Sequence, residues 1–152
     1  PLLFAVALLA IVGCSKDEPA AVGFGIYKLG ASTPDDGYVC RPLAEQIYCS
    51  NNPSPKIAGH KTQTDLFFRG HDMKKAPLVE ILVGVWRCKP GAVSADLQAK
   101  MGQPTKLADK SAYWRLEKMS VVALLPKEDN LCTVHFLDHS ETERISELFP
   151  GI

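Results

Sequence analysis

The pattern of apolar and polar positions predicts several short strands joined by polar turns, together with a few helical segments. The strand-like runs are bounded by Gly, Pro, Asn and Asp, which are the residues that favour turns. The clearest pair of runs covers 64–69 and 78–86, and the polar connection 70–77 between them predicts an antiparallel hairpin. Further strands are predicted at 22–27, 47–49, 112–116, 121–125 and 131–136.

Cap residues followed by amphipathic segments predict the helices. Ser94 is an N-cap candidate for a helix over 94–101, and a helical turn is predicted at 32–36. Ser140 and Glu143 have the spacing of a capping box at the start of a final helix. The fold class that follows is α+β, an antiparallel sheet covered on one side by short helices.

Two hairpins, one in each part of the chain, have the same order of apolar strand, polar turn and apolar strand. One interpretation is a tandem duplication with halves 22–88 and 89–152. The other is that any two hairpins look alike at this level. In either case the length of 22–152 suits a single domain with its own core.

The apolar run from Leu2 to Val12 ends at Gly13 and Cys14, where the chain turns abruptly polar. Spanning a membrane takes about 20 apolar residues, so the run is too short to span and matches the core of a signal peptide. Its end resembles the lipobox of bacterial lipoproteins. The alternative is a buried N-terminal helix.

The lipobox resemblance implies a signal peptide at 1–14, lipid chains on Cys14 that anchor the protein to the bilayer, and a polar tether at 15–21. The tether reaches at most roughly 25 Å, so the domain and its partner would lie close to the membrane. Ser15 after the cysteine, in place of the Asp that favours retention, implies the periplasmic side of the outer membrane.

Charge excludes one class of partner. The chain has 17 basic and 17 acidic residues, and no segment gathers one sign densely. The sequence therefore contains no basic segment that would form a phosphate-binding face, and nucleic acid is not an expected partner.

Four cysteines remain beyond Cys14, an even number that suits two disulfides in an oxidising compartment. Of the three connectivities that four cysteines allow, we favour Cys40–Cys49 with Cys88–Cys132, each within one half of the domain. The rival is a zinc site. The chain contains no Cys-x-x-Cys pair and the spacings are irregular, which argues against zinc.

The segment with Gly91, Leu97, Met101, Gly102 and Pro104, followed by an antiparallel strand set, is similar to outer-membrane lipoproteins of the BamE (small protein A) type. It is also similar to the wider group with the β-lactamase-inhibitor-protein-like fold. The resemblance covers 91–136. It implies a helix packed on an antiparallel sheet and a role in binding proteins. The four cysteines and the first half lack a counterpart in a single-unit BamE protein, which suggests two tandem units.

The usual local signatures of catalysis are absent from the sequence: there is no Gly-x-Ser-x-Gly, no His-Glu-x-x-His and no Gly-rich phosphate loop. The remaining cluster is His135, Asp138 and His139, which would bind a metal if the three side chains pointed to one place in the fold. The alternative is surface histidines near a helix start. We therefore predict no catalytic residue, no cofactor and no metal.

Aromatic residues beside arginine, at Trp86 and at Tyr113 to Arg115, point to binding, because Trp, Tyr and Arg dominate interface energies. On a strand, Tyr113 and Arg115 share one face and Trp114 points to the other. With Trp114 in the core, Tyr113 and Arg115 would form an outward patch, either a protein-binding surface or ordinary sheet surface.

Two functions follow from these patterns. The first is a non-catalytic protein-binding module that docks another envelope protein in assembly or maintenance of the envelope. The second is an inhibitor or immunity-type lipoprotein that blocks a cell-wall hydrolase or a toxin.

Overall fold

The structure is a computed structural model that describes residues 22–32, 37–52, 54–127 and 131–152. The predicted signal peptide with Cys14, the tether 15–21 and most of the helical turn predicted at 32–36 lie outside the described residues. Neither helix among the described residues is long and apolar enough to cross a membrane.

The described residues form ten strands and two helices. In chain order these are β1 Gly23–Phe24, β2 Tyr27–Lys28, β3 Val39–Leu43, β4 Gln46–Asn52, β5 Thr62–Arg69, β6 Leu78–Trp86, α1 Pro90–Met101, β7 Lys106–Ala108, β8 Ser111–Arg115, β9 Met119–Leu124, β10 Leu131–Asp138 and α2 Thr142–Leu148. The fold is α+β, as the sequence predicts.

Eight of the strands form one sheet in the order β3-β4-β5-β6-β10-β9-β8-β7, and every neighbouring pair is antiparallel. Each half of the chain contributes a four-stranded meander that runs from an outer edge to the centre. The meanders meet where β6 pairs with β10, for example at Val83 and Val134. Duplication of one unit stays a prediction.

One face of the sheet carries the main core, which is closed by α1 and by the separate β1–β2 hairpin. Val93 and Leu97 of α1 are buried there, as is Trp114 of β8. The indole Nε1 of Trp114 donates to the carbonyl of Gly102 at 2.9 Å and so joins β8 to the end of α1.

The opposite face carries a second core under α2, in which Ile145 and Phe149 pack on strand residues of β8, β9 and β10. The two helices therefore lie on opposite faces, and the prediction that both cover one side is wrong. Strand alternation explains this arrangement. Trp114 lies in the first core and its neighbour Tyr113 in the second.

Both helices begin differently from the prediction. α1 starts at Pro90, whose fixed φ suits the first helical position, so Ser94 lies inside the helix and its hydroxyl accepts from Gln98 at 3.1 Å. α2 starts at Thr142, and the Ser140 hydroxyl donates to Asp138 Oδ1 at 2.5 Å instead of capping the helix.

The two favoured disulfides, Cys40–Cys49 and Cys88–Cys132, are both present. The first joins directly opposite positions of β3 and β4. The second joins the segment between β6 and α1 to β10, where Cys132 pairs with Val85. Cys40–Cys49 is local to a hairpin of the first half. Cys88 ends the first half and Cys132 lies in the second, so this disulfide links the two halves at the centre of the sheet, and the expectation that each disulfide stays within one half is wrong for it.

Candidate functional site

The structure places Tyr113 and Arg115 differently from the predicted exposed patch. Tyr113 is 3% exposed, and its ring lies 5.9 Å from that of Phe149. Its hydroxyl is 3.3 Å from Ser120 Oγ. Arg115 is exposed, and its backbone N–H donates to Thr105 Oγ1. The expected exposure is therefore wrong for Tyr113, because α2 covers this part of the sheet. A binding role for Arg115 stays a prediction.

The face that α2 covers continues past the helix, onto the strands of the first half, where no described helix packs on it. We call this surface the open face. Its side chains are half-buried or exposed, in contrast to the fully buried ones beneath α2. They are Arg41, Tyr48, Asp65, Phe67, Leu82, Trp86 and Leu131.

A row of stacked side chains crosses the open face at one level. The registers place Arg41 opposite Tyr48 and Tyr48 opposite Phe67. The Tyr48 and Phe67 ring centroids are 5.2 Å apart, and the Arg41 guanidinium carbon is 5.2 Å from the Tyr48 centroid. Cross-strand aromatic pairs and a cation over a ring face both stabilise such a row. The row presents two half-buried aromatic rings with an exposed cation at its outer end.

Trp86 lies at the end of β6 and is 56% exposed. It borders a dent of about 130 Å³ in the open face, between β5, β6 and β10. The dent is lined by Gln63, Asp65, Leu82, Gly84, Trp86, Leu131 and Thr133. Trp86 was one of the aromatic residues that the sequence singled out, so here the pattern and the exposed surface agree.

A polar cluster separates the open face from the part under α2. Glu80 Oε1 lies 2.6 Å from His135 Nδ1, and both side chains are buried. Glu80 Oε2 accepts from Arg144 Nε at 3.3 Å. The cluster connects β6, β10 and α2. Glu80 is not among the residues that the sequence pattern indicates, although a carboxylate inside the apolar run 78–86 was the available signal.

His135, Asp138 and His139 are not brought together as a metal site. His135 is paired with Glu80, while Asp138 accepts hydrogen bonds from the hydroxyl and the backbone N–H of Ser140. His139 Nε2 is buried and has no hydrogen-bond partner. Across the described ranges, no group of three or more His, Cys, Asp or Glu side chains is arranged to hold a metal ion.

The pKa of Asp138 reflects opposing influences. Burial acts to raise it, but the hydrogen bonds from Ser140, with smaller effects from the charges of Arg69 and His139, outweigh burial and lower the pKa below 3.8. Asp138 is thus held as a carboxylate that organises the turn before α2.

A cavity of about 590 Å³ lies on the other face of the sheet, between the end of α1 and the β1–β2 hairpin. Its wall is mainly apolar, with Phe24, Leu97, Met101, Leu116, Met119 and Phe136. Lys56, Lys100 and Glu117 are exposed residues that also line it. A concave, mainly apolar wall with a few charged groups is typical of a small-molecule site.

Comparison of the chain with protein-family models, with curated proteins and with solved structures finds no match.

Proposed function

We propose that this protein is a non-catalytic protein-binding module of the bacterial envelope and that its binding surface is the open face. The observation that carries the proposal is the exposed half of a sheet face, with the Arg41–Tyr48–Phe67 row and Trp86 on it. Protein interfaces are enriched in aromatic residues and arginine, and residues of these types supply most of the binding energy.

The charged groups near the open face support binding in preference to catalysis. Glu80 and His135 have a carboxylate–imidazole geometry, but both side chains are buried and Glu80 is shared with Arg144. A general base must reach the proton that it abstracts, directly or through one water. Their burial and their contacts with α2 instead suit a structural role beneath the helix.

The lipid anchor is the second part of the proposal. The run that ends at Cys14 resembles a lipobox, and the tether 15–21 is short. We propose that Cys14 carries lipid chains in the outer membrane and that the domain faces the periplasm. Several acyl chains hold a protein stably, whereas one gives marginal binding. The partner would then be an envelope protein close to the membrane.

Site-specific photocrosslinking in cells tests the surface. A photoreactive residue at Tyr48 or Phe67 should give a discrete crosslinked protein, because these positions lie in the open face. The matched control is Ala99, an exposed position of α1 on the other face. Crosslinks from Ala99 or Arg115 with none from the open face would contradict the proposal.

The partner's identity separates the two forms of the proposal. An envelope-assembly protein among the crosslinked products supports the first form. A cell-wall hydrolase or a toxin supports the alternative, an inhibitor or immunity-type lipoprotein.

A pair of surface truncations measures the binding energy. Trp86→Ala should weaken capture of the crosslinked partner by about 2 kcal/mol if Trp86 is a hot spot, with the melting temperature nearly unchanged. Leu107→Ala is the matched control, since Leu107 is 68% exposed on the outer strand β7. If the two variants have equal affinity for the partner, Trp86 is not part of the interface.

Metabolic labelling tests the anchor. Cells fed a clickable fatty acid should label the wild-type chain, and Cys14→Ala should abolish the label because the modified thiol is gone. Cys40→Ala with Cys49→Ala serves as the control for loss of cysteines in general. Continued labelling of Cys14→Ala would end the lipoprotein proposal.

We also propose a second function, the binding of a free fatty acid in the cavity beside α1. The apolar wall suits an acyl chain, and the exposed Lys56 at its rim suits an anionic head, whereas Lys100 is already paired with Asp96 at 2.7 Å. Each methylene of the acyl chain that is buried in the cavity makes the binding free energy more favourable by about 0.8 kcal/mol. Affinity should therefore rise about fourfold per methylene until the cavity is full.

Displacement of a fluorescent fatty acid by acids of increasing length measures this function. Met101→Trp should block binding by filling the cavity, whereas Ala99→Trp, on the exposed side of the same helix, should leave it intact. Absence of any dependence on chain length, or equal binding by the two variants, would exclude the cavity as a fatty-acid site.

A further inference from the structure

The dent beside Trp86 is lined at its bottom by Gly84, which has no side chain. Gly84 lies inside β6 near its end at Trp86, opposite Gln63 of β5 on one side and Thr133 of β10 on the other. Side chains on these three strands surround it, so the missing Cβ leaves a hollow in the centre of the sheet. The hollow, about 130 Å³, has room for the end of one side chain.

The backbone does not require glycine at this position. Gly84 does not have a left-handed φ, and a Cβ built on it would lie 3.6 Å from Leu131 Cδ1 and 3.9 Å from the Gln63 carbonyl oxygen. Both distances are ordinary van der Waals contacts. Glycine in a strand interior weakens the strand and often marks a bulge, a bend or a place where another group approaches closely. The pairing of β6 with β5 and β10 has no register shift at Gly84, which leaves close approach of another group.

The dent also contains an unpaired anion. Asp65 Oδ1 is buried and has no hydrogen-bond partner, and its carboxylate makes no ion pair with any residue in the described part of the chain. A buried carboxylate oxygen without a donor is unfavourable. Arg41, the cation among the residues that define the open face, stacks on Tyr48.

The exposed ring of Trp86 adds a second attraction for a cation. A cation over a tryptophan face is attracted by the ring, most strongly when a partner removes the surrounding water. Arginine combines a planar guanidinium that stacks on aromatic rings with a fork of donors that fits a carboxylate. Asp65 and Trp86 line the same dent.

We propose that the Gly84 dent is a socket for an arginine side chain of the partner, in which the guanidinium donates to the Asp65 carboxylate and stacks on Trp86. This inference rests on the proposed protein-binding role of the open face and specifies the chemistry that the partner presents: an exposed basic segment with an arginine. The absence of a side chain at Gly84 leaves space for the guanidinium to reach Asp65.

The test uses the whole chain in detergent and a short blocked peptide, acetyl-Gly-Arg-Gly-amide, followed by NMR. The amide signals of Asp65, Gly84 and Thr133 and the indole signal of Trp86 should shift and saturate. The neutral isostere with citrulline in place of arginine should bind at least about tenfold more weakly. Equal affinity for the two peptides would overturn the proposal.

Two variants fix the site of binding. Asp65→Asn keeps the shape and removes the charge, so it should reduce the arginine peptide's affinity about tenfold and abolish the preference over citrulline. Gly84→Ala should leave the melting temperature unchanged or slightly raised, because its Cβ fits, and weaken arginine binding by narrowing the dent. Undiminished binding by both variants would place the peptide elsewhere.

These outcomes are separate from those of the protein-binding proposal. If crosslinks from Tyr48 and Phe67 persist while the arginine peptide fails to bind, the socket is wrong and the open face still binds a protein. If the crosslinks are absent while the arginine peptide binds with the expected preference, the socket exists without the proposed protein partner.

Discussion

Glu80 is a carboxylate within a sheet whose two oxygens hold two different elements. One contacts His135 on β10, and the other accepts from Arg144 on α2. Buried charges persist where they are paired and hydrogen-bonded, and removing one member of such a set leaves the other uncompensated. Glu80 therefore helps to determine where α2 sits on the sheet.

We expect Glu80→Ala to reduce the free energy of unfolding by about 3 kcal/mol. The substitution leaves the buried His135 imidazole without its partner and removes one of the two carboxylates that Arg144 contacts. Urea unfolding measures the loss. Glu147→Ala is the matched control, since Glu147 pairs with the same Arg144 from an exposed position and should cost less than about 1 kcal/mol. Similar losses for the two variants would contradict a structural role for the buried cluster.

Asp138 links the stability of the turn before α2 to pH. The pKa of Asp138 in the folded state lies below the ordinary 3.8. Its contribution to the free energy of unfolding is therefore fully present above pH 3.8 and is lost as the pH falls through the folded-state pKa. Ser140→Ala removes the hydroxyl hydrogen bond and should raise the Asp138 pKa. NMR titration of the Asp138 carboxyl carbon checks this, and an unchanged or lower pKa would refute it.

At the scale of elements, α2 forms the cover of the second core. It has seven residues, too few to be stable alone, so its helical form depends on packing against the sheet. Phe149, just after the helix, is buried against Tyr113. Losing that contact should loosen α2 and uncover Tyr113.

We expect Phe149→Ala to cost about 3 kcal/mol in the free energy of unfolding, the range for large aromatic truncations in a core. Leu148→Ala is the comparison, because Leu148 is half-buried at the edge of the same core and should cost less. Urea unfolding gives the losses, and near-ultraviolet circular dichroism follows the aromatic environment. A smaller loss for Phe149→Ala than for Leu148→Ala would show that α2 is held by other contacts.

The elements that the sequence predicted well are those with strong apolar patterns. The β5–β6 hairpin and strands β8 to β10 follow from alternating or continuous apolar runs. The predicted strand 22–27 is instead the β1–β2 hairpin, since Gly25 turns the chain with a positive φ. The edge strands β3 and β7 were missed because their side chains are largely exposed and leave no apolar pattern.

The candidate surface shows a similar limit. The alternation of side chains along a strand predicts which residues share a face of the sheet. The prediction that Trp114 lies on the face opposite to Tyr113 and Arg115 is therefore correct. The alternation gives no information on what covers that face, which depends on where α2 docks. The open face combines residues of separate strands, and their proximity follows from a strand order that the sequence pattern does not contain.

At the scale of the whole molecule, the two disulfides close loops of very different length. Cys88–Cys132 spans 44 residues and Cys40–Cys49 spans 9. In the chain-entropy model, a longer loop gives more stabilisation, about 4 kcal/mol for the first and about 2.5 kcal/mol for the second. Replacing each pair by alanines and measuring urea unfolding should reproduce that order, and the reverse order would show that loop closure does not govern their effect.

The pairing of β6 with β10 has a consequence for the order in which the chain folds. The other neighbours in the large sheet are successive strands, so their contacts are local, whereas the central pair joins residues as distant as Glu80 and Leu137. Non-local contacts of this kind slow folding. The proposed socket draws on β5, β6 and β10 together, so a chain with its meanders formed but undocked would lack it. Binding of the partner's arginine would then be confined to chains in which the two meanders have docked.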